Sequence, residues 1–346
     1  MNQFDIVDMH CDTLSATLSG SFAGQKADLR RQNTQINFEK MKESGYFLQN
    51  FAAFVDMDES EDPLEDALRM ADLFYRQAEA SSDLIVPVKS WKDIEHSRSQ
   101  GKMAALLTLE EGGICRGDPA LLSVLYRLGA RMMTLTWNYE NELGFPNFDL
   151  RKSLKHPPVT DKIQDPTVPG DSFFEDLSGR GLKERGIFFL EEMERLGMII
   201  DVSHLSDAGF YDVLNHTKKP FVASHSNARS LWPAKRNLTD DMIRKLADRG
   251  GVTGINFCMA FLGRPEAGED FLDQAVRHMK YLINLGGEDF VGFGSDFDGI
   301  DACDDLKDCT AMPRLIDRMK KADLSYTQIE KICSGNVLRV YKELLS

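Results

Sequence analysis

No stretch of this chain approaches the roughly 18 consecutive apolar residues that a membrane-spanning helix needs. Its opening residues, MNQFDIVDMH, carry neither the basic segment nor the apolar run of a secretion signal. The chain is therefore expected to be cytoplasmic, with no membrane partner. Positive charge is also scarce: 41 Lys and Arg stand against 55 Asp and Glu, giving a net charge of -14. A nucleic acid normally needs a basic face, so nucleic acid is not expected as a partner. The six cysteines (Cys11, Cys115, Cys258, Cys303, Cys309 and Cys333) have no C-x-x-C spacing, which suits buried, reduced thiols rather than a disulfide framework. Repeats, low-complexity tracts and linkers are absent, and 42% hydrophobic residues can fill a large core, so residues 1–346 are read as a single domain.

What the sequence does have is a rhythm. Short β-rich runs alternate with amphipathic segments over nearly the whole length, the pattern of parallel strands joined by helical crossovers. Eight runs read as strands: 5–10, 46–55, 103–109, 131–137, 198–204, 220–225, 252–258 and 290–296, with 84–89 (LIVPVK) as a doubtful extra. Helical patterns lie between them, as at 62–80, 181–196, 239–249 and 269–285. Eight βα units point to an α/β fold of the TIM-like (β/α)8 barrel type; periodicity alone leaves an open doubly wound sheet as the competitor. Residues 138–180, rich in Pro, Gly, Asp and Asn, break the rhythm and form a long insertion after strand four, at the barrel mouth.

The chemistry gathers where the strands end. In DMHCD, residues 8–12, His10 and Asp12 are two apart and can share one face, while Cys11 points away. Neutral imidazole and carboxylate together suit a borderline divalent metal such as zinc. Other strands finish alike: LLTLEEGG brings Glu110 and Glu111, IIDVSH brings His204, FVASH brings His225 and GFGSDFDG brings Asp296. In a βα barrel these ends converge on one rim, where active sites form. The set is too large for one catalytic zinc, which keeps three protein ligands and an open position, but it fits two metals with a shared carboxylate. His96, His156, His216 and His278 lie in helical or loop contexts and read as surface or packing residues.

The ordered set DMHCDT, LEEGG, RMMTLTW, MIIDVSHLSD, ASHSNAR, KRN, GSDFDG and GNVLRV resembles the membrane (renal) dipeptidases, dinuclear zinc peptidases with a TIM-like barrel, over essentially the full chain. The resemblance implies that His10 and Asp12 bind one zinc and His204 and His225 the other. It also implies that Glu111, directly before the Gly-Gly pair, bridges them, that Asp296 is the catalytic acid/base, and that Arg236 contacts substrate. Dipeptides are the implied substrates, hydrolysed by a metal-activated water. A D-residue at the C-terminal position is compatible with the family, as is β-lactam opening. Animal members place a substrate-contacting histidine where this chain has Trp137 and Asn138, so these two are expected to line the substrate pocket with a different preference. The apolar tail of a lipid anchor is lacking, and a homodimer is left open. Other barrel metallohydrolases, acting on cyclic amides or esters, usually carry H-x-H at strand one rather than H-x-D. A non-catalytic metal-binding barrel would have little reason to keep Asp296.

Overall fold

The computed structural model describes residues 4–346 apart from 23, 25, 153–168, 170, 171, 173 and 302. Nine strands are present among the described residues: β1 (Ile6–Asp8), β2 (Tyr46–Phe54), β3 (Ile85–Val88), β4 (Met103–Glu110), β5 (Met132–Thr134), β6 (Ile199–Asp201), β7 (Val222–Ala223), β8 (Val252–Ile255) and β9 (Val291–Phe293). Eight of them close a parallel ring in the order β1, β2, β4, β5, β6, β7, β8, β9 and back to β1. The chain is thus a TIM-like (β/α)8 barrel, and the open sheet is excluded. The run at 84–89 is a real strand outside the ring: β3 pairs with Met103–Leu106 of β4, below the point where Thr108–Glu110 turns to β5.

Local chemistry sets the crossover helices. Pro63–Ala80 starts on an Asp62 cap with Pro63 in the first turn, and Phe271–Gly286 starts on a capping box of Asp270 and Asp273. Glu184–Leu196 stops at Gly197, whose φ of 78° is open to glycine without strain. Their apolar faces pack on the outside of the ring.

Inside the ring, Val7, Leu48, Ala104, Leu106, Met132, Ile199, Val222 and Val252 converge into one layer. Val337, Tyr341 and Leu344 of the helix Asn336–Leu344 join this layer and close the end of the barrel opposite the strand C-termini. At β9 the inward position is Gly292, where a Cβ would come 2.7 Å from Val337. Above this floor the interior turns polar, with Asn50, Thr108, Thr134, Asp201 and Ser224 all buried. Tyr341 reaches up to it through a 2.6 Å hydrogen bond from Asn50 Nδ2 to its hydroxyl.

Of the 138–180 insertion, residues 138–152, 169, 172 and 174–180 are described. Bridges Gly144–Leu182 and Pro146–Leu205 tie it across the barrel mouth. His156 lies outside the described residues.

Candidate metal centre

Strand alternation decides which of two adjacent glutamates faces the barrel axis. Ala104 and Leu106 belong to the inner layer, so Thr108 and Glu110 continue that face. Glu110 lies at the centre of the cluster: Oε2 is 3.2 Å from His10 Nε2, while Oε1 is 3.2 Å from His204 Nε2 and 3.6 Å from His225 Nε2. The two oxygens of one carboxylate thus address separate imidazole groups. His10 Nε2 is also 3.4 Å from Asp12 Oδ2 and 3.7 Å from Asp296 Oδ1. The His10 and His225 rings stack at 3.9 Å, and the two Nε2 atoms of His204 and His225 stand 2.9 Å apart.

Glu111, expected as the shared carboxylate, is not in this cluster; the glutamate that faces the imidazoles is Glu110. Just beyond β4, at φ 90°, its carboxylate turns outward. It accepts from Gly113 N (2.6 Å), Trp137 N (2.8 Å) and Asn141 Nδ2. Its oxygens are occupied in holding the loop after β5. Proximity to the Gly-Gly pair was a weaker guide than side-chain alternation.

Backbone strain concentrates here. His204 and Asp296 hold φ values of 67° and 66°, unusual for non-glycine residues and found where the surrounding structure over-determines them. β1 ends at Asp8, and beyond it alternation lapses: Met9 packs among inner-layer residues while His10 and Asp12 both reach the site. Asp8 is structural, accepting from Ser295 N (2.9 Å) and His10 N (3.3 Å). Cys11 is buried, with its thiol against Asn50 O. Gly299 closes the wall, because a Cβ there would run into Asp12 Oδ2 and approach Asp296 Oδ1 to 2.9 Å.

The remaining candidates surround the cluster. Asp296 is tethered through Oδ2 to Asn256 Nδ2 at 2.8 Å. Arg236 is buried, its Nη1 donating to His225 O (2.8 Å) and its Nη2 2.9 Å from His204 Nε2. Its guanidinium lies over Phe261. Asn138 Oδ1 meets His204 Nδ1 at 2.8 Å, so Asn138 holds a ring of the cluster as well as lining the cavity. Trp137 is half-buried, edge-on to Phe54 (4.8 Å) and Tyr139 (5.4 Å). A cavity of about 440 Å³ opens over the cluster, with Asp12, Glu110, His204 and Asp296 at its base and Trp137, Phe54, Tyr139 and Phe148 in its wall. Those last three carried no motif; their only sequence signal is that they follow strand ends or fall in the insertion. His278 is a packing residue, its Nε2 on Leu262 O, and His96 and His216 are exposed.

Electrostatics mark the cluster as built for cations. Burial pushes the Glu110 carboxyl up to about 8, raises Asp296, and drives His204 and His225 well below the usual imidazole range. At His10 burial opposes the charged form, but the Glu110 and Asp12 carboxylates outweigh it and raise the imidazole well above its ordinary value. His10 Nδ1 and Asp12 Oδ1 are buried without a hydrogen-bond partner among the described residues. Three imidazoles and three carboxylates gathered in one buried place, with ligand atoms unsatisfied, suit divalent metal.

A model of the membrane dipeptidase family (peptidase family M19) matches residues 1–345. Among relatives, an uncharacterized protein in the pqqA 5' region of Klebsiella pneumoniae is 36% identical over 255 residues, 73% of this chain and 86% of the relative. An uncharacterized dipeptidase of Schizosaccharomyces pombe is 31% identical over 319 residues, 88% of this chain and 71% of the relative. Among solved structures, the dipeptidase AC, a metallopeptidase of family M19, superposes with a TM-score of 0.85 at 25% identity over 99% of both chains. A Rhodobacter sphaeroides metallopeptidase, liganded with a phosphinate mimic of L-Ala-D-Ala, shares the fold with a TM-score of 0.85 at 24% identity over 100% of both chains.

Proposed function

This chain belongs to the membrane dipeptidase family, peptidase family M19, and on that premise we propose how its strand-end cluster hydrolyses a dipeptide. The enzyme is a metallo-dipeptidase. Its residues suit two zinc ions: His10 and Asp12 would hold one and His204 and His225 the other, with Glu110 placed between the two sets. The observation that carries this assignment is the split of Glu110, with Oε2 toward His10 and Oε1 toward His204 and His225. When bound, such a metal pair supplies Lewis acidity toward the scissile carbonyl and acidifies a water from 15.7 toward about 7.

The chain's own groups do the rest. Asp296, anchored through Oδ2 by Asn256, keeps Oδ1 beside the cluster. It takes the proton released by the attacking water and delivers it to the departing amine. Arg236 lies buried behind His204 and His225, its Nη1 on His225 O and its Nη2 2.9 Å from His204 Nε2, so it sets its positive charge beside the cluster; contact with a substrate carboxylate would require the guanidinium to leave these partners. The cavity is near the low end of small-molecule pockets and suits a two-residue substrate. Trp137 supplies an apolar wall for a side chain, while Asn138 contributes a polar edge and orients His204.

Metal titration of the full chain alongside hydrolysis of a dipeptide set, including C-terminal D-residues, and of matched tripeptides tests this reading. Two equivalents of zinc and selective dipeptide turnover are expected. An active chain saturated by a single metal, or equal turnover of tripeptides, would refute it.

A further inference from the structure

The three imidazoles of the centre differ in what stands behind them. His204 Nδ1 meets the neutral amide of Asn138, and His10 Nδ1 has no partner among the described residues. His225 Nδ1 meets Ser224 Oγ at 2.6 Å, and Ser224 Oγ lies 2.5 Å from Asp201 Oδ2. Asp201 is fully buried in the polar layer under the site and forms no ion pair with a cation among the described residues. Four neutral donors hold it instead: Ser203 N (3.0 Å) and Ser224 N (2.8 Å) on Oδ1, Thr134 Oγ1 (2.8 Å) and Ser224 Oγ on Oδ2.

The proton inventory of this chain of bonds has one solution. A carboxylate only accepts, and a serine hydroxyl has a single hydrogen. The Ser224 hydrogen therefore goes to Asp201, so Ser224 Oγ must accept from His225 Nδ1–H. That leaves His225 Nε2 without a hydrogen, an acceptor 2.9 Å from His204 Nε2 and 3.6 Å from Glu110 Oε1. Resting on the metal-centre reading above, we propose that Asp201, acting through Ser224, is the positioning residue that fixes the metal-binding tautomer of His225. A ligating histidine depends on its second nitrogen for orientation and basicity, and loss of such partners typically weakens metal binding 10–100-fold.

Asp201→Asn should reverse the relay while keeping its shape. Two backbone N–H groups on the Oδ1 side fix the amide oxygen there, so the NH2 faces Ser224 Oγ and donates to it. The Ser224 hydrogen then turns to His225 Nδ1, nearer at 2.6 Å than the other acceptor, Ser203 Oγ at 3.3 Å, placing the ring proton on Nε2, where metal should bind.

The test uses the full chain labelled with 15N-histidine, stripped of metal, with the His225 signals identified by a His225→Asn variant. Long-range 1H–15N spectra should show Nδ1–H in the wild type and Nε2–H in Asp201→Asn. Competition with a zinc-chelating dye should show the zinc dissociation constant rising about 10–100-fold. An unchanged tautomer, or unchanged zinc affinity in the folded variant, would overturn the proposal. If Asp201→Asn does not fold, Ser224→Ala cuts the relay at its other member; a comparable affinity loss supports the proposal and wild-type affinity overturns it. A wild-type chain that binds no zinc would instead remove the metal-centre reading, so the two failures are distinguishable.

Discussion

Replacing Glu110 with glutamine exchanges one of two facing carboxylate oxygens for an NH2 group that cannot ligate a cation. The same change at Glu111, one residue along, leaves the cluster untouched and disturbs a loop. A four-ligand zinc site binds with about 10–16 kcal/mol, or roughly 3 kcal/mol per ligand, so losing one ligand should weaken one ion about 100-fold. The remaining amide oxygen can serve only one side of the pair, and Glu110→Gln should therefore retain one zinc tightly and release the other. Glu111→Gln should keep both. Its carboxylate accepts from Gly113 N, Trp137 N and Asn141 Nδ2, and an amide can accept on one side only, leaving at least one buried donor unmatched. That costs about 1–3 kcal/mol of folding stability. Chelator competition gives the zinc affinities and urea unfolding of the metal-free chains gives the stabilities. Glu111→Gln losing zinc while Glu110→Gln keeps two tight ions would refute the reasoning.

Asp296→Asn should keep both metals and lose turnover about 10²–10⁴-fold, because an amide cannot relay a proton; loss of metal by direct analysis would make Asp296 a ligand instead. Trp137→His and Trp137→Ala should reorder the ranking of small and bulky dipeptides in kcat/KM with metal content intact, whereas a uniform drop in stability with the same ranking would assign the indole to packing. His278, outside the cluster, is pushed down to about 4 by burial, below the ordinary 6.5. The folded chain therefore stays neutral there while the unfolded chain takes up a proton between pH 6.5 and 4, so stability falls as pH falls through that window, by about 3 kcal/mol. The fall in urea midpoint between pH 7.5 and 4.5 should be smaller in His278→Gln, which offers both a donor and an acceptor to Leu262 O and Ala228 N, than in the wild type; an unchanged acid slope would count against the assignment.

The eight ring strands and the four quoted helices were legible because hydrophobic period and capping residues are local properties. Ring closure was not, since it resides in the β1–β9 and β2–β4 pairings between segments remote in sequence. His10, Asp12, His204, His225 and Asp296 could be picked out because each ends a recognisable strand. Glu110 was within reach by the same reasoning: its alternation with Ala104 and Leu106 puts it inside the barrel, and motif spacing drew attention to its neighbour. Asp201 and Ser224 were hidden in IIDVSH and FVASH, where the adjacent histidines carry the obvious signal and the relay depends on β6 and β7 lying side by side. Nothing in the composition of 138–152 distinguishes Asn141, which braces Glu111, from other loop asparagines.

Ring closure also imposes an order of events on synthesis. β1 can gain its second neighbour only when β9 exists, and Asp296 follows directly behind β9. A ribosome adds roughly 5–20 residues per second, so His10 and Asp12 wait about 15–60 s after they are made before Asp296 can join them. Throughout that interval the growing polypeptide exposes an early His-x-Asp pair, then two glutamates, then two histidines, without the geometry that unites them. Metal captured then would be held by whatever local pair had emerged. Faithful loading is thus expected to follow release of the finished chain, once Asn336–Leu344 has sealed the floor beneath the site.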